Sequence, residues 1–284
     1  MKSLWLLVTV IILEALLPCL ASNTIARTHS ITSTVMNEAR TYHVYLPPSY
    51  HIAKTRRFPV LYVLDGDMHR TKAIAGILEG LSTETLGGQV QEAIIVAIPS
   101  SDKAIRERDL TPTNVNWEYK GKLLERFSNI GKANRYLTFF NQELIPFIQA
   151  HYRVNQQRII VGESFGGLFA GYVLLEAPHS FTDYLIIDAT YLWDNNYLNR
   201  SYQARDWKPD SNINTVLFTF ANNRAFEEIG EVNYQWGQAF YQNIAGHQRD
   251  DLIVEKRYFE NETHGTVALL SWYYGLKHIL GKKE

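Results

Sequence analysis

The fold is decided at residues 158–169, which read RIIVGESFGGLF. The apolar run Ile159–Val161 predicts a buried strand, and a helical run follows the glycines. Between them lies the pattern G-x-S-x-G, centred on Ser164. So tight a turn from strand to helix strains the serine backbone and leaves no space for side chains nearby, a condition that Gly162 and Gly166 meet. The stretch predicts a hydroxyl projecting at the start of a helix, as a catalytic nucleophile does; the alternative is an ordinary glycine-rich turn.

The sequence on either side alternates between strand-like and helix-like segments. Short β-like runs occupy residues 28–45, and residues 102–133 are polar and aperiodic, which predicts a long loop over a binding cleft. Further strands are predicted at 58–64, 93–98, 184–187, 216–220 and 254–259, and helices at 73–81, 136–151 and 267–279. This alternation predicts one α/β domain, residues 22–284, with a mainly parallel central sheet and helices on both faces.

A serine hydroxyl is a weak nucleophile and requires an adjacent base. In sheets that carry this serine turn, the base follows on a loop after the last strand. His264 occupies that place, between the predicted strand at 254–259 and the predicted helix at 267–279. The other histidines after Ser164 lie just behind the serine helix, in a polar segment and within the last helix (His179, His247 and His278). His264 is therefore the predicted base, and the alternative is a surface histidine.

The acid that would orient this base is expected after the strand at 216–220. Glu228 and Glu231 are the leading candidates there, and Glu227 ranks behind them. Carboxylates are also favoured in the first turn of a helix, so two of the three could be ordinary solvated residues. A serine–histidine pair without an acid stays open as well.

Backbone N–H groups are the expected stabilisers of a negatively charged oxygen in the reaction. Phe165 N–H is the first candidate, because it follows the serine at the helix start. Gly66 and Asp67 supply the second candidate, in the loop after the strand at 58–64, where a glycine permits close approach of the substrate. The alternative is that Asp65-Gly66-Asp67 forms only a turn.

The N-terminus has the layout of a secretory signal peptide. Lys2 gives a positive start, Leu4–Leu17 is largely apolar, Pro18 ends the run and Ala21 is a small residue at the cleavage position. Residues 1–21 are therefore predicted to be removed on export to the periplasm or the exterior. An uncleaved anchor and a lipoprotein signal are the alternatives. Cys19 is the only cysteine, so the mature chain would have no thiol chemistry.

Charge and composition exclude some classes of partner. The 28 lysines and arginines nearly balance the 29 aspartates and glutamates, giving a net charge of -1. This balance provides no electrostatic reason to expect a nucleic acid as partner. The expected partner is a small molecule, with no stable membrane insertion once the signal is removed; the oligomeric state is not predicted.

Four segments together carry a family resemblance: Val60–Gly66, Arg108–Pro112, Gly162–Phe169, and His264 ahead of Tyr274–Leu276. They resemble the family of α/β-hydrolase-fold esterases that includes esterase D, the mycolyltransferases, feruloyl esterases and siderophore trilactone esterases. Two positions depart from its pattern. Glu163 stands where many relatives have histidine, and Arg224 stands where relatives often have the acidic residue.

The resemblance implies hydrolysis of carboxylic esters through an acyl-enzyme, with no metal and no organic cofactor. The loop at 102–133, with Arg106, Arg108, Trp117 and Tyr119, is expected from its length and position to cover the cleft. Arg108, Trp117 and Trp193 are the predicted substrate contacts. A siderophore trilactone esterase, or an acyltransferase to a sugar or lipid alcohol, is the alternative expectation.

Overall fold

The computed structural model describes residues 25–100 and 102–282. The predicted signal peptide, residues 1–21, lies outside the described residues, as does Cys19. Its cleavage therefore stays a prediction.

Ten strands are found in the described ranges: β1 (Arg27–Ser33), β2 (Glu38–Tyr45), β3 (Phe58–Leu64), β4 (Ile94–Ile98), β5 (Trp117–Tyr119), β6 (Lys122–Glu125), β7 (Val154–Glu163), β8 (Asp183–Ile187), β9 (Thr215–Ala221) and β10 (Ile253–Phe259). Eight of them form one sheet in the order β1-β2-β4-β3-β7-β8-β9-β10, while β5 and β6 pair separately. The strands from β4 to β10 along this order run parallel, and β1 and β2 are antiparallel additions at one edge.

Every residue of β3, β8 and β9 is buried. Strands covered on both faces read as continuous apolar runs, which is why the sequence predicted them well. At the edge of the sheet, β10 exposes several residues to solvent.

The described helices are α1 (Met68–Ser82), α2 (Lys103–Leu110), α3 (Ala133–Phe139), α4 (Ile145–His151), α5 (Phe165–Glu176), α6 (Tyr197–Gln203), α7 (Glu227–Ala245) and α8 (Val267–Ile279). A π-turn at Phe140–Leu144 joins α3 to α4, and short 3₁₀ turns lie at Pro48–His51, Glu84–Leu86 and Arg224–Phe226. The helices α1 and α8 pack on one face of the sheet, and α3 to α7 pack on the other. The predicted α/β class, with a mainly parallel sheet and helices on both faces, is confirmed.

The segment predicted as a loop at 102–133 contains regular structure. Asp102 caps α2 by accepting the Ile105 N–H at 2.8 Å, and the mostly charged sequence of α2 gave no apolar periodicity to reveal it. Strands β5 and β6 form a short hairpin, residues 117–125, which we call the flap hairpin. Its strands of three and four residues are too short to show an alternating pattern.

No helix in residues 25–100 or 102–282 has the length and apolar character needed to span a bilayer.

Candidate active site

Ser164 lies at the sharp turn between β7 and α5. Its backbone has φ 58° and ψ −118°, a strained conformation for a residue other than glycine. A side chain at Gly162 would place its Cβ 2.2 Å from the carbonyl oxygen of Gly166, so this close turn requires glycine at position 162. The predicted strand–turn–helix around Ser164 is thus present.

The neighbouring strand β8 and the residues after it hold this turn in place. Ser164 N–H donates to the carbonyl of Ile187 at 3.1 Å, and Thr190 N–H donates to the carbonyl of Ser164 at 3.1 Å. The Ser164 hydroxyl lies 3.3 Å from the Thr190 hydroxyl. The serine is therefore fixed on both sides by the end of β8.

His264 lies on the loop between β10 and α8, as predicted. Its Nδ1 is 2.6 Å from Oδ2 of Asp188, and its side chain is 34% exposed. The hydrogen bond with Asp188 is the main cause that raises the pKa of His264, and the nearby charge of Glu163 acts in the same direction. Burial and the charge of Arg106 oppose that rise. The imidazole is therefore oriented by a carboxylate on Nδ1, which leaves Nε2 as the nitrogen that can act as a base.

Asp188, directly after β8, is the acidic residue that contacts His264. It is 2% exposed, and its carboxylate accepts from Ala221 N–H at 3.2 Å and from Asn223 Nδ2 at 2.8 Å. Its φ of 37° is left-handed, a conformation that aspartate tolerates better than most residues. The carboxylate is buried, but hydrogen-bond donors surround it, as a buried charge requires.

The expectation of an acid after β9 is corrected by this geometry. Glu228 is exposed on the first turn of α7 and pairs with Lys120 of the flap hairpin, while Tyr119 donates to it at 3.3 Å. Glu231 accepts from Gln235 one helical turn later, at 2.8 Å, and Glu227 and Glu231 line a neighbouring cavity that contains neither Ser164 nor His264. Glu227 and Glu228 lie in the first turn of α7, where the helix dipole favours carboxylates.

Asp188 was not among the predicted acids, because the acid was expected only in the segment after β9. A signal was available, since an aspartate follows directly on the fully buried apolar run at the end of β8. The carboxyl ends of neighbouring parallel strands lie at one edge of the sheet. A residue after β8 can therefore reach the same place as one after β9.

Ser164 and His264 line one cavity of about 350 Å³ at this edge. Its walls combine apolar groups, including Trp117, Phe165 and Phe226, with the charged side chains of Lys103, Arg106, Glu107 and Glu125. A mainly apolar cleft with a few convergent polar groups is typical of a small-molecule site.

Of the predicted backbone donors, Phe165 is placed best. It is the first residue of α5, where helix N–H groups have no intrahelical partner, and it lines the cavity. Gly66 N–H donates to the backbone carbonyl of Ile98 at 2.9 Å, and Asp67 N–H donates to the backbone carbonyl of Asp65 at 2.9 Å. Those two N–H groups are therefore already engaged, and neither residue lines the cavity. The expectation for Gly66 and Asp67 does not fit this geometry.

The three predicted substrate contacts have different positions. Trp117, on the flap hairpin, lines the cavity. Trp193 is fully buried and donates to the Thr113 hydroxyl at 2.9 Å, so it supports the wall behind Phe165 from outside the cavity. Arg108 binds Glu38 and Asp109 and joins α2 to β2, away from the cavity.

Arg106 is one of two cations of α2 that line the cavity, the other being Lys103. Its Nε and Nη2 both lie 2.9 Å from Oδ2 of Asp65, and its guanidinium lies 5.2 Å from the centre of the Phe165 ring. It thus bridges the loop after β3 and the start of α5, beside Ser164.

Three comparisons relate this chain to known proteins. Residues 33–267, more than half of the chain, match the family model described as "Putative esterase". The ferri-bacillibactin esterase of Bacillus subtilis strain 168 is 30% identical over 173 residues, which cover 57% of this chain and 58% of that protein. The aligned part is thus less than two thirds of that relative's length.

Solved structures agree on the fold. An IroE-like serine hydrolase from Shewanella oneidensis is 27% identical with a TM-score of 0.77, covering 90% of this chain and 80% of that one. The enterobactin esterase from Shigella flexneri, at 17% identity and a TM-score of 0.68, covers 91% of this chain and 60% of that one and shares the fold. The α/β-hydrolase fold is confirmed, and the extent of the family match shows that this chain belongs to that esterase family.

Proposed function

We propose that this protein hydrolyses carboxylic esters, with Ser164 as nucleophile, His264 as general base and Asp188 as the acid that orients the histidine. One observation carries the proposal: the Asp188–His264 hydrogen bond of 2.6 Å lies at a cavity that also contains the strained Ser164. Nucleophile, base and orienting acid on neighbouring strand ends are the elements of acyl transfer by a serine.

The reaction proceeds in two steps. His264 Nε2 takes the proton from Ser164 Oγ as that oxygen attacks the ester carbonyl, and the resulting imidazolium is stabilised by Asp188. The imidazolium then protonates the leaving alcohol, which leaves the acyl group on Ser164. In the second step His264 activates a water molecule, and hydrolysis releases the acid and restores the serine.

The negative charge that develops on the carbonyl oxygen needs stabilisation in the transition state. Phe165 N–H is the backbone donor for it, supported by its position at the N-terminus of α5 and by the positive end of that helix. Arg106 adds positive charge at the same cavity. Its contacts with Asp65 and Phe165 keep the guanidinium in place.

A siderophore trilactone is the second candidate substrate. Support comes from the names of two similar proteins, a ferri-bacillibactin esterase and an enterobactin esterase. Lys103 and Arg106 at the cavity would suit the oxyanions of a catecholate arm. The cavity of about 350 Å³ would take one arm of such a ligand rather than the whole molecule.

We further propose that the enzyme acts outside the cytoplasm, in the periplasm or as a secreted protein. The support is the order of a basic start, an apolar run and a small residue within residues 1–21. N-terminal sequencing of the protein recovered from its native compartment tests this, and an intact Met1 would contradict it.

Hydrolysis of a series of p-nitrophenyl esters from acetate upward tests the activity, with Ser164→Ala as the paired variant. The proposal expects turnover by the parent and none above background by the variant. A catecholate trilactone, assayed in parallel, decides between the substrates, because a specialised enzyme would prefer it greatly over aryl esters. Added alcohol acceptors test the transferase alternative, which would yield acylated alcohol at the expense of free acid. No turnover of any of these esters by a folded parent would overturn the proposal.

A further inference from the structure

Asn223 lies beyond the three residues of the proposed triad and has no place in the reaction described above. It follows β9 by two residues, is 91% buried and lines the cavity that contains Ser164 and His264. Its Nδ2 donates to Asp188 Oδ2 at 2.8 Å, the same oxygen that lies 2.6 Å from His264 Nδ1. Asn223 is thus linked to the histidine through one carboxylate oxygen.

We propose that Asn223 is a positioning residue for catalysis: its amide N–H fixes the Asp188 carboxylate in the orientation that holds His264 ready to act as a base. The inference rests on the proposed function. The sequence predicted the acid itself at the end of β9. In this proposal that segment instead supplies hydrogen-bond donors to the acid, Asp188.

The carboxylate of Asp188 has donors on both oxygens. Ala221 N–H reaches Oδ1 at 3.2 Å, while Asn223 and His264 share Oδ2. An aspartate side chain held by one contact could rotate about its Cβ–Cγ bond, whose torsion is broad. The two donors from residues 221–223 remove that freedom, so that the histidine always meets an acceptor in the same place.

The backbone of Asn223 is itself firmly held. Its backbone carbonyl accepts from Phe226 N–H at 2.9 Å. The first turns of α7 press against it, because a Cβ at Gly230 would lie 2.1 Å from that carbonyl oxygen. The backbone of this residue is therefore fixed between the end of β9 and α7, and its side chain reaches Asp188 from a fixed position.

The orientation of the Asn223 side-chain amide leaves a buried oxygen without a hydrogen bond within the described part of the chain, which packing alone does not explain. With Nδ2 directed at the carboxylate, Oδ1 of Asn223 is buried with no hydrogen-bond partner among the residues that the structure describes. The reverse orientation would place two oxygens against each other, so the assignment of nitrogen to the Asp188 side is required by charge. A buried unpaired acceptor is destabilising, and its retention is consistent with a functional demand on the donor.

The test compares Asn223→Ala and Asn223→Leu with the parent, using p-nitrophenyl acetate and full pH profiles of kcat and kcat/KM. Both variants remove the donor, and the second keeps a side chain of similar size. The matched control is Asn222→Ala, which truncates the neighbouring amide, whose Nδ2 donates to the Glu260 carbonyl at 2.9 Å. The unfolding temperature is measured for each protein.

The proposal expects both Asn223 variants to lose about 10- to 100-fold in kcat with KM nearly unchanged, since one hydrogen bond to a charged group is lost. The control keeps parental kcat. Loss of the N–H dipole that faces Asp188 Oδ2 also raises the pKa of His264 and moves the acid limb of the kcat/KM profile of both variants to higher pH. The other charged groups that act on His264, namely Asp188, Glu163 and Arg106, are the same in every variant.

Parental kcat in both Asn223 variants would overturn the proposal, and so would a change confined to KM, which would mark Asn223 as a substrate contact. If Asn223→Ala fails to fold at the assay temperature, Asn223→Leu, which keeps the side-chain volume, decides by the same criteria. Activity that survives in Ser164→Ala is a separate outcome, because it would remove the proposed function itself.

Discussion

Asp188 and His264, 76 residues apart in sequence, meet in a hydrogen bond of 2.6 Å between Oδ2 and Nδ1. The bond joins the end of β8 to the loop after β10, across the end of β9 that lies between them. The intervening strand contributes Ala221 and Asn223 as donors to the same carboxylate. Three consecutive strand ends therefore share in holding one histidine.

The pH dependence of the reaction should respond to Glu163. This carboxylate is buried, lies 2.6 Å from Arg70 Nη1 and raises the pKa of His264 by its charge. In Glu163→Gln the pKa of His264 falls, so the neutral imidazole that acts as base persists to lower pH. The acid limb of the kcat/KM profile is expected to move to lower pH.

Arg106→Gln should shift the pH profile in the opposite direction to Glu163→Gln, because the charge of Arg106 lowers the pKa of His264. The acid limb of the kcat/KM profile of Arg106→Gln should move to higher pH, however much kcat itself is reduced. Shifts of both variants in the same direction, or none in either, would contradict the electrostatic account of His264.

Trp117 and Trp193 should differ in what they affect. Trp117 lines the cavity from the flap hairpin, so Trp117→Ala is expected to change KM and the preference among ester chain lengths with little change in the unfolding temperature. Trp193 is fully buried beside Phe165 and Phe127, and Trp193→Ala should lower the free energy of unfolding by about 3–5 kcal/mol. Thermal unfolding and ester kinetics on both variants check this. A substrate-specific effect of Trp193→Ala in a fully stable protein would contradict it.

Substitution of Glu228 should affect the flap hairpin and leave catalysis nearly unchanged. It pairs with Lys120, and both side chains are largely exposed, so the pair is screened and its energy is small. Glu228→Gln is expected to increase amide hydrogen exchange in residues 117–125 while kcat on a small ester stays close to that of the parent.

Glu231→Gln is the matched control, because Glu231 bonds within α7 to Gln235 and leaves the hairpin untouched. Equal exchange in the two variants would argue against the contact between Glu228 and the flap hairpin.

The parts of this molecule that were predictable from sequence are those with local signals. The strand, turn and helix around Ser164 are encoded by consecutive residues. The bounds of β3 and α8 were predicted to the residue, because β3 is wholly apolar and α8 has a clear helical periodicity. The position of His264 on the loop between β10 and α8 was predictable for the same reason.

The parts that were missed depend on contacts between distant segments. Whether Asp188 or Glu228 reaches His264 depends on how the loops after β8 and β9 fold over the sheet edge, which no local pattern encodes. Arg106 and Arg108 lie two residues apart on α2, yet one faces the cavity and the other binds Glu38. Their roles separate only once the direction of the helix is known.

The most direct test of the proposed catalytic triad is kcat/KM for p-nitrophenyl acetate by four proteins: the parent, Ser164→Ala, Asp188→Asn and Glu228→Gln. We expect no activity for Ser164→Ala and a loss of about 10³- to 10⁴-fold for Asp188→Asn, because the amide no longer holds the histidine in the correct tautomer. Glu228→Gln should stay close to the parent. Near-parental activity of a folded Asp188→Asn, together with a large loss in Glu228→Gln, would contradict the assignment of Asp188 as the acid.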